Sequence, residues 1–401
     1  TVETADALAN KLKDLINLDG VENRYVELPK LNLDDVVVPN DAIHKVCNDQ
    51  WEESIAYNKE FSDANIFEDV DAEYVQFKRD AQKEVNYLVK EFECKKAADS
   101  YARATTARTG VLDCSKLHTY KHNEDLFKKV TTLADGKNHG LVFILDWSGS
   151  MHPVLKDTVK QLYNLIWFCR KVNIPFEVYA FTQEYPLVRW DESRGEMARI
   201  TPYTEKNNIA QVPDWFSLMN FFSSKVNAKT LDDQLKNIWR VTASIMGHGY
   251  HASHGGYGYR YNFRTPLGMN LSGTPLNETL VALHQILPKF KTENKLQKVQ
   301  CVILTDGEAH PLRYHREVQR QWEDEPYLGT NYIGTNCFLR DRKLGKTYAF
   351  SSMHRYSDFT DVLLTNLRDK FTDMNFIGIR VLESRDAGQF VRNYTGYADE
   401  S

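Results

Sequence analysis

From about residue 140 onward, apolar positions follow two alternating periods. Leu141 to Leu145 is an unbroken apolar run, the pattern of a strand buried on both faces, and Phe176 to Phe181 and Val299 to Leu304 resemble it with one polar residue each, Glu177 and Gln300. Between these runs the period becomes helical. Leu155, Val159, Leu162, Ile166 and Cys169 share one face of a helix that stops near Asn173-Ile174-Pro175. Gly273-Thr274-Pro275 is a start signal, with Thr274 as N-cap and Pro275 as first helical residue. Leu276, Leu280, Leu283 and Leu287 form the buried stripe behind it. A helix near 358–371 and a strand at 375–382 complete the alternation. The pattern predicts an α/β fold: a doubly wound, mostly parallel sheet with right-handed crossovers.

Two stretches break the rhythm. Residues of about 183–270 and 309–356 are too long for plain connections in a compact domain and are expected as insertions. The first holds a helix at 230–246. The second holds a hairpin across Asp341 to Gly345, flanked by Cys337–Arg340 and Lys346–Phe350. Upstream, Val85, Leu88, Val89 and Phe92 recur at helical spacing and predict a long amphipathic helix over 76–104. Residues 1–135 therefore read as a mainly helical N-terminal region, and 136–401 as the α/β domain.

Composition narrows the function classes. With 42% hydrophobic and 12% aromatic residues the chain can build full-sized cores. A net charge of -5 offers no basic excess for nucleic acid. Residues 1–75 carry 18 acidic against 6 basic side chains, and residues 76–140 carry 13 basic against 9 acidic. These are expected as solvated helical faces in preference to an acidic docking arm. No apolar run reaches the roughly 18 residues of a membrane span, and no secretory signal is visible. Six cysteines without a C-x-x-C pair read as reduced and mostly buried. Together these features point to the cytoplasm. No G-x-x-x-x-G-K-[ST] or H-E-x-x-H motif occurs, so neither a P-loop nor a zinc-protease helix is expected.

The candidate chemistry lies where the first apolar run ends. Asp146-Trp147-Ser148-Gly149-Ser150 places a carboxylate and two hydroxyls at alternate positions on a strand-to-helix loop, at the sheet edge where open α/β folds bind ligands. Hydroxyls, a carboxylate and water suit a hard cation, Mg²⁺ or Mn²⁺, better than zinc. Thr274 sits at the tip of a later helix, and Asp306 follows a later strand. Turn and cap chemistry alone would account for Asp146 and Ser148 but would not require the other two. Trp147 is expected either beneath the site or beside it as a contact.

D-x-S-x-S, a distant Thr and a distant Asp resemble the metal-ion-dependent adhesion site of von Willebrand factor A domains. The resemblance implies direct ligation by the Ser and Thr hydroxyls and aspartates acting directly or through water. It also implies an open sixth position for a partner's carboxylate. Arg108-Thr-Gly110-Val-Leu112-Asp113 and Glu124-Asp125-Leu126-Phe127-Lys128-Lys129 are similar to the segment preceding the A domain in the small subunit of cobaltochelatase, and residues 76–182 especially to versions encoded by tailed phages. That family works beside an AAA+ ATPase of MoxR or chelatase type and a large chelatase subunit. The implied role is a non-catalytic adaptor, in the host cytoplasm if phage-encoded. One departure is that the long acidic linker of the bacterial subunit is missing, and acidity is confined to the first 75 residues.

Rival readings are a remodelling adaptor unrelated to cobalamin, a structural or virion-associated binding protein, and a metal hydrolase. The hydrolase would need a base, for which His310 is the nearest candidate. His248, His251 and His254 read as incidental residues of a Gly- and Tyr-rich loop in preference to a metal cluster. Replacing Asp146 or Asp306 by Ala is expected to abolish Mg²⁺-dependent partner binding and to leave the fold largely intact.

Overall fold

The three apolar runs form the middle of one sheet in a computed structural model. It describes residues 23–102 except 62, 105–112, 127–132, 138–247 except 186, 192–194 and 200, 263–350 except 308, 310 and 320–324, and 356–382. In chain order the elements begin with β1 (Arg24–Val26), β2 (Val37–Val38), α1 (Asn40–Lys59), α2 (Glu68–Ala102) and a hairpin of β3 (Thr105–Leu112) and β4 (Phe127–Thr132). Next come β5 (His139–Asp146), α3 (Leu155–Lys171), β6 (Phe176–Thr182), a small hairpin of β7 (Arg189–Asp191) and β8 (Glu196–Ala198), β9 (Ser217–Ser223) and α4 (Ala228–Gly247). The last part holds α5 (Leu276–Glu293), β10 (Lys298–Thr305), β11 (Arg313–Val318), β12 (Tyr327–Tyr332), β13 (Cys337–Asp341), β14 (Lys346–Ala349), α6 (Tyr356–Lys370) and β15 (Met374–Arg380).

The main sheet has six strands in the order β15-β10-β5-β6-β9-β2. Neighbours run parallel except β6 and β9. From β5 the chain crosses through α3 to β6 on one side, and later returns through α5 to β10 on the other. The strand order therefore reverses between β5 and β10, where open sheets leave a crevice at their carboxyl edge.

Alternate residues of the same strands feed two separate cores. Phe143, Leu145, Val302 and Leu304 face α1, α2, α3 and α4, whereas Val142, Ile144, Cys301 and Ile303 face α5 and α6. The predicted stripe of α3, from Leu155 to Cys169, is wholly buried. Helices α3 and α5 end alike. Asn173 and Lys295 take positive φ, and the amides of Ile174 and Leu296 reach back to the carbonyls of Cys169 and Lys291 at 2.9 and 3.0 Å. This satisfies otherwise unpaired helix carbonyls and turns the chain into the next strand.

The first described residues belong to the same framework. Strand β2 adds an edge to the sheet beside β9, and α2 locks onto α3 and α4. Phe77 stacks on Trp239 at 5.2 Å, and Arg240 grips Asp71 through two bonds of 2.9 and 2.7 Å while lying 3.9 Å over Phe67. Glu73 meets Lys156, and Asp232 meets Lys78. Part of the early acidity is thus used in ion pairs between helices. Helix α2 begins eight residues before the expected 76, and its buried line is Val70, Tyr74, Ala81 and Val85, with Leu88 left exposed.

The stretch expected as a first insertion contributes β9 and α4 to the main layers, in addition to the β7–β8 hairpin. In the second, the expected hairpin forms as β13–β14, and β1 pairs with β13 in parallel. Cys47, Cys169, Cys301 and Cys337 are buried free thiols, Cys94 is exposed, and Cys114 lies outside the described residues. Among the described residues no helix is long and apolar enough to cross a membrane.

Candidate metal centre

Asp146 is the last residue of β5, and its neighbour β10 ends at Thr305. The β5–β10 register pairs Leu145 with Leu304, so Asp146 and Thr305 leave the sheet side by side. Thr305 Oγ1 donates to Asp146 Oδ2 at 2.6 Å, and the Ser148 amide donates to Asp146 Oδ1 at 3.0 Å. The buried carboxylate thereby holds its own loop and the next strand end together. Burial pushes the Asp146 carboxyl up to about 6; the Ser148 and Thr305 hydroxyls oppose the rise and the nearby Asp306 charge adds to it.

Above this layer the hydroxyls form a ladder. Ser148 Oγ lies 3.0 Å from Ser150 Oγ, and Ser150 Oγ donates to Asp306 Oδ1 at 2.9 Å. Ser148 is buried, Ser150 is exposed and Asp306 is half-buried, so the ladder climbs from the core to the surface. Burial also raises the Asp306 carboxyl, against the Ser150 hydrogen bond.

The third loop is tied in through its backbone. Ser272 bridges Ser148, taking the Gly149 amide on its carbonyl at 2.8 Å and donating its own amide to the Trp147 carbonyl at 3.1 Å. Its hydroxyl accepts the Gln183 amide at 3.0 Å and sits 3.2 Å from Thr182 Oγ1. Thr274 follows two residues later, partly buried. It is not the helix N-cap: α5 starts at Leu276 with Pro275 as its cap residue, because Pro275 takes a non-helical ψ of 52°. The Thr274 side chain is thereby released from capping.

Trp147 lies beneath the loop. It is fully buried, donates from Nε1 to the Met269 carbonyl at 2.8 Å and meets Phe221 edge-on at 5.0 Å. The ring fills the floor and anchors the segment that leads to Ser272.

The donor set fits a small hard cation. An octahedral Mg²⁺ with ligands at 2.0–2.1 Å has adjacent oxygens about 2.9 Å apart, a spacing close to that of hydrogen-bonded hydroxyls. Ser148 Oγ, Ser150 Oγ and Asp306 Oδ1 already stand at 3.0 and 2.9 Å. Among the described residues no group of three His, Cys, Asp or Glu side chains that could hold a metal ion is found, so the donor set considered is one of hydroxyls and carboxylates. Asp146 instead spends both carboxylate oxygens on protein donors and acts as the platform under the ladder.

Thus Asp146, Ser148, Ser150 and Asp306 are joined by direct hydrogen bonds, and Thr274 lies two residues along the chain from Ser272, which bridges Ser148. Thr305 and Ser272 are further residues of the site, each a polar residue one or two positions from a predicted ligand. His248, His251, His254 and His310 lie outside the described residues. A cavity of about 270 Å³ opens beside the site, lined by Thr305, Gly307, Leu276, Ile379 and Arg380. Comparison with family models, curated proteins and solved structures returned no match.

Proposed function

We propose that this edge is a metal-ion-dependent adhesion site of the von Willebrand A type, and that the chain is a Mg²⁺-dependent protein-binding adaptor. The observation that carries the reading is the oxygen ladder Ser148–Ser150–Asp306 at the strand-order switch, close enough to share one small cation and exposed at its middle rung, Ser150. When bound, the cation would supply a positive coordination position for an incoming carboxylate. Ser148, Ser150, Thr274 and Asp306 would hold it, and Asp146 would orient the loop. The partner proposed is an AAA+ ATPase of MoxR or chelatase type, in a machine resembling cobaltochelatase, with catalysis belonging to the assembly.

Titration calorimetry of the purified chain should show saturable Mg²⁺ binding, Mn²⁺ competing and Ca²⁺ weaker. Affinity capture should retain an AAA+ partner in Mg²⁺ and lose it in EDTA. Capture unchanged by EDTA overturns the mechanism, and an AAA+ partner without a chelatase large subunit moves the role to a general remodelling adaptor. One observation favours a hydrolytic reading: His152, two residues beyond Ser150, has a buried Nε2 without a hydrogen-bond partner. Mg²⁺-dependent turnover of p-nitrophenyl phosphate, lost in His152→Ala, would establish it.

A further inference from the structure

A second cavity, of about 360 Å³, lies where β13 and the turn after it meet α5 and α6. It is remote from the metal centre: His284, on its wall, is about 12 Å along α5 from the first helical residue. Its volume is that of a small-molecule site.

The walls carry one sign of charge in excess. Five Lys or Arg side chains line the cavity against two acids, Glu27 and Asp341. Glu27 accepts from Arg340 at 3.0 Å and Arg342 at 2.6 Å, and Asp341 accepts from Lys370 at 3.0 Å. The ammonium groups of Lys30 and Lys343 have no ion-pair partner among the described residues, and both side chains are exposed at the mouth.

Polar atoms without partners mark the interior. Both ring nitrogens of His284, Nε of Arg340 and Oδ1 of Asn366 are buried with no hydrogen bond, and all three residues line the same cavity. A buried polar atom left unpaired is costly, so four on three residues that line one cavity point to a missing partner. Burial, then the Lys370 charge, push the His284 imidazole down to about 3, so the ring is neutral, with one N–H donor and one acceptor nitrogen. The unpaired set therefore holds donors, at Arg340 and one His284 nitrogen, and acceptors, at Asn366 and the other. A bare anion would answer only the donors. A ligand with an anionic head and hydroxyl groups answers both, and a guanidinium fork beside lysines suits a phosphoryl group.

We propose that this cavity binds a sugar phosphate: the phosphoryl group toward Arg340, Lys30 and Lys343, and the hydroxyls toward His284 and Asn366. The apolar walls of Leu28, Pro29 and Leu339 would cover the carbon skeleton.

Ribose 5-phosphate is the probe, titrated into the full chain at constant ionic strength with inorganic phosphate and ribose as separate arms. Calorimetry should give one saturable site that prefers ribose 5-phosphate to either half. The His284 ring resonances should move with the same saturation. His284→Gln and the exposed Lys343→Glu should each weaken binding about tenfold or more, with Mg²⁺ binding unchanged. Three outcomes each overturn the proposal: no saturable heat; equal response to phosphate alone; or wild-type affinity in both variants. The last two would assign the unpaired atoms to bound water.

Discussion

The loops after β5 and β10 leave neighbouring strands at the same edge and put an aspartate there, yet the two carboxylates live differently. Asp146 is 0% exposed, and its two oxygens take the Ser148 amide and the Thr305 hydroxyl. Asp306 is half-buried and takes Ser150, whose other neighbour is Ser148. Burial raises both carboxyls, but only Asp146 is surrounded by donors from two separate strand ends. An acid at a strand end becomes framework when its neighbours satisfy it. It remains a ligand for something outside when they do not.

The largest expected effect follows from that difference. Asp146→Ala leaves the buried Ser148 amide and the Thr305 hydroxyl without their acceptor. At about 1–3 kcal/mol for each of the two unsatisfied groups, the loss should be about 2–6 kcal/mol of unfolding free energy, measured by denaturant titration. Asp306→Ala strands only an exposed hydroxyl. The motif alone predicts that either substitution leaves the fold largely intact; the burial of Asp146 separates them. Equal loss of stability in both variants would break the comparison.

Glu278, in the first turn of α5, sharpens it by showing a buried acid whose one donor is its own backbone N–H. Its Oε2 has no partner, and burial raises its carboxyl from 4.5 to about 7, higher than Asp146 with its hydroxyls. The folded chain holds this proton up to about pH 7, whereas the unfolded chain releases it near 4.5. The contribution to stability is therefore complete below about 4.5 and is lost as pH rises through 7. A rise from 4.5 to about 7 corresponds to about 3 kcal/mol. Glu278→Gln should flatten this part of the stability profile between pH 5 and 8 and be the more stable protein at pH 8. An unchanged slope would mean that Glu278 finds a donor in solution.

The same contrast between satisfied and unsatisfied environments explains which parts were legible in the sequence. β5, β6 and β10 are buried on both faces, so each announces itself as an apolar run, interrupted only by Glu177 in β6 and Gln300 in β10. Strand β2 is two residues long and exists because β9 pairs with it. Strand β9, Ser217 to Ser223, has its apolar residues split by Asn220 and lies in a stretch whose length argues for an insertion. Its antiparallel pairing with β6 is a long-range choice that no local period records. Leu88 matched the helical spacing of Val85 and Phe92, yet is exposed, because the helix partners of α2 lie along the line of Tyr74 and Val85. At the site, the residues with loop signatures, Asp146, Ser148, Ser150 and Asp306, were legible. Thr305 and Ser272 were not, since a single hydroxyl carries no pattern until the fold gives it an acceptor. Pro275 fits a helix start by composition, but its ψ of 52° moves the start past it and changes the role of Thr274.

The smallest expected change in stability belongs to Ser150→Ala, and it tests the other half of the comparison. Ser150 is exposed, and its hydroxyl contacts only Ser148 and Asp306 across the ladder. Surface positions of this kind change stability by about 0.5 kcal/mol or less. The same hydroxyl is the middle rung of the Mg²⁺-spaced edge, so its removal should weaken Mg²⁺ binding measured by calorimetry about tenfold or more. Asp306→Ala should do so at least as strongly. The two readouts must separate: near-native denaturant midpoint, weakened cation. If Ser150→Ala binds Mg²⁺ like the parent, the ladder is loop hydrogen bonding and nothing more. If it loses stability as Asp146→Ala does, the middle rung belongs to the framework as well. Only stability kept with cation binding weakened leaves Asp146 as the platform and Ser150 with Asp306 as the part that faces a ligand.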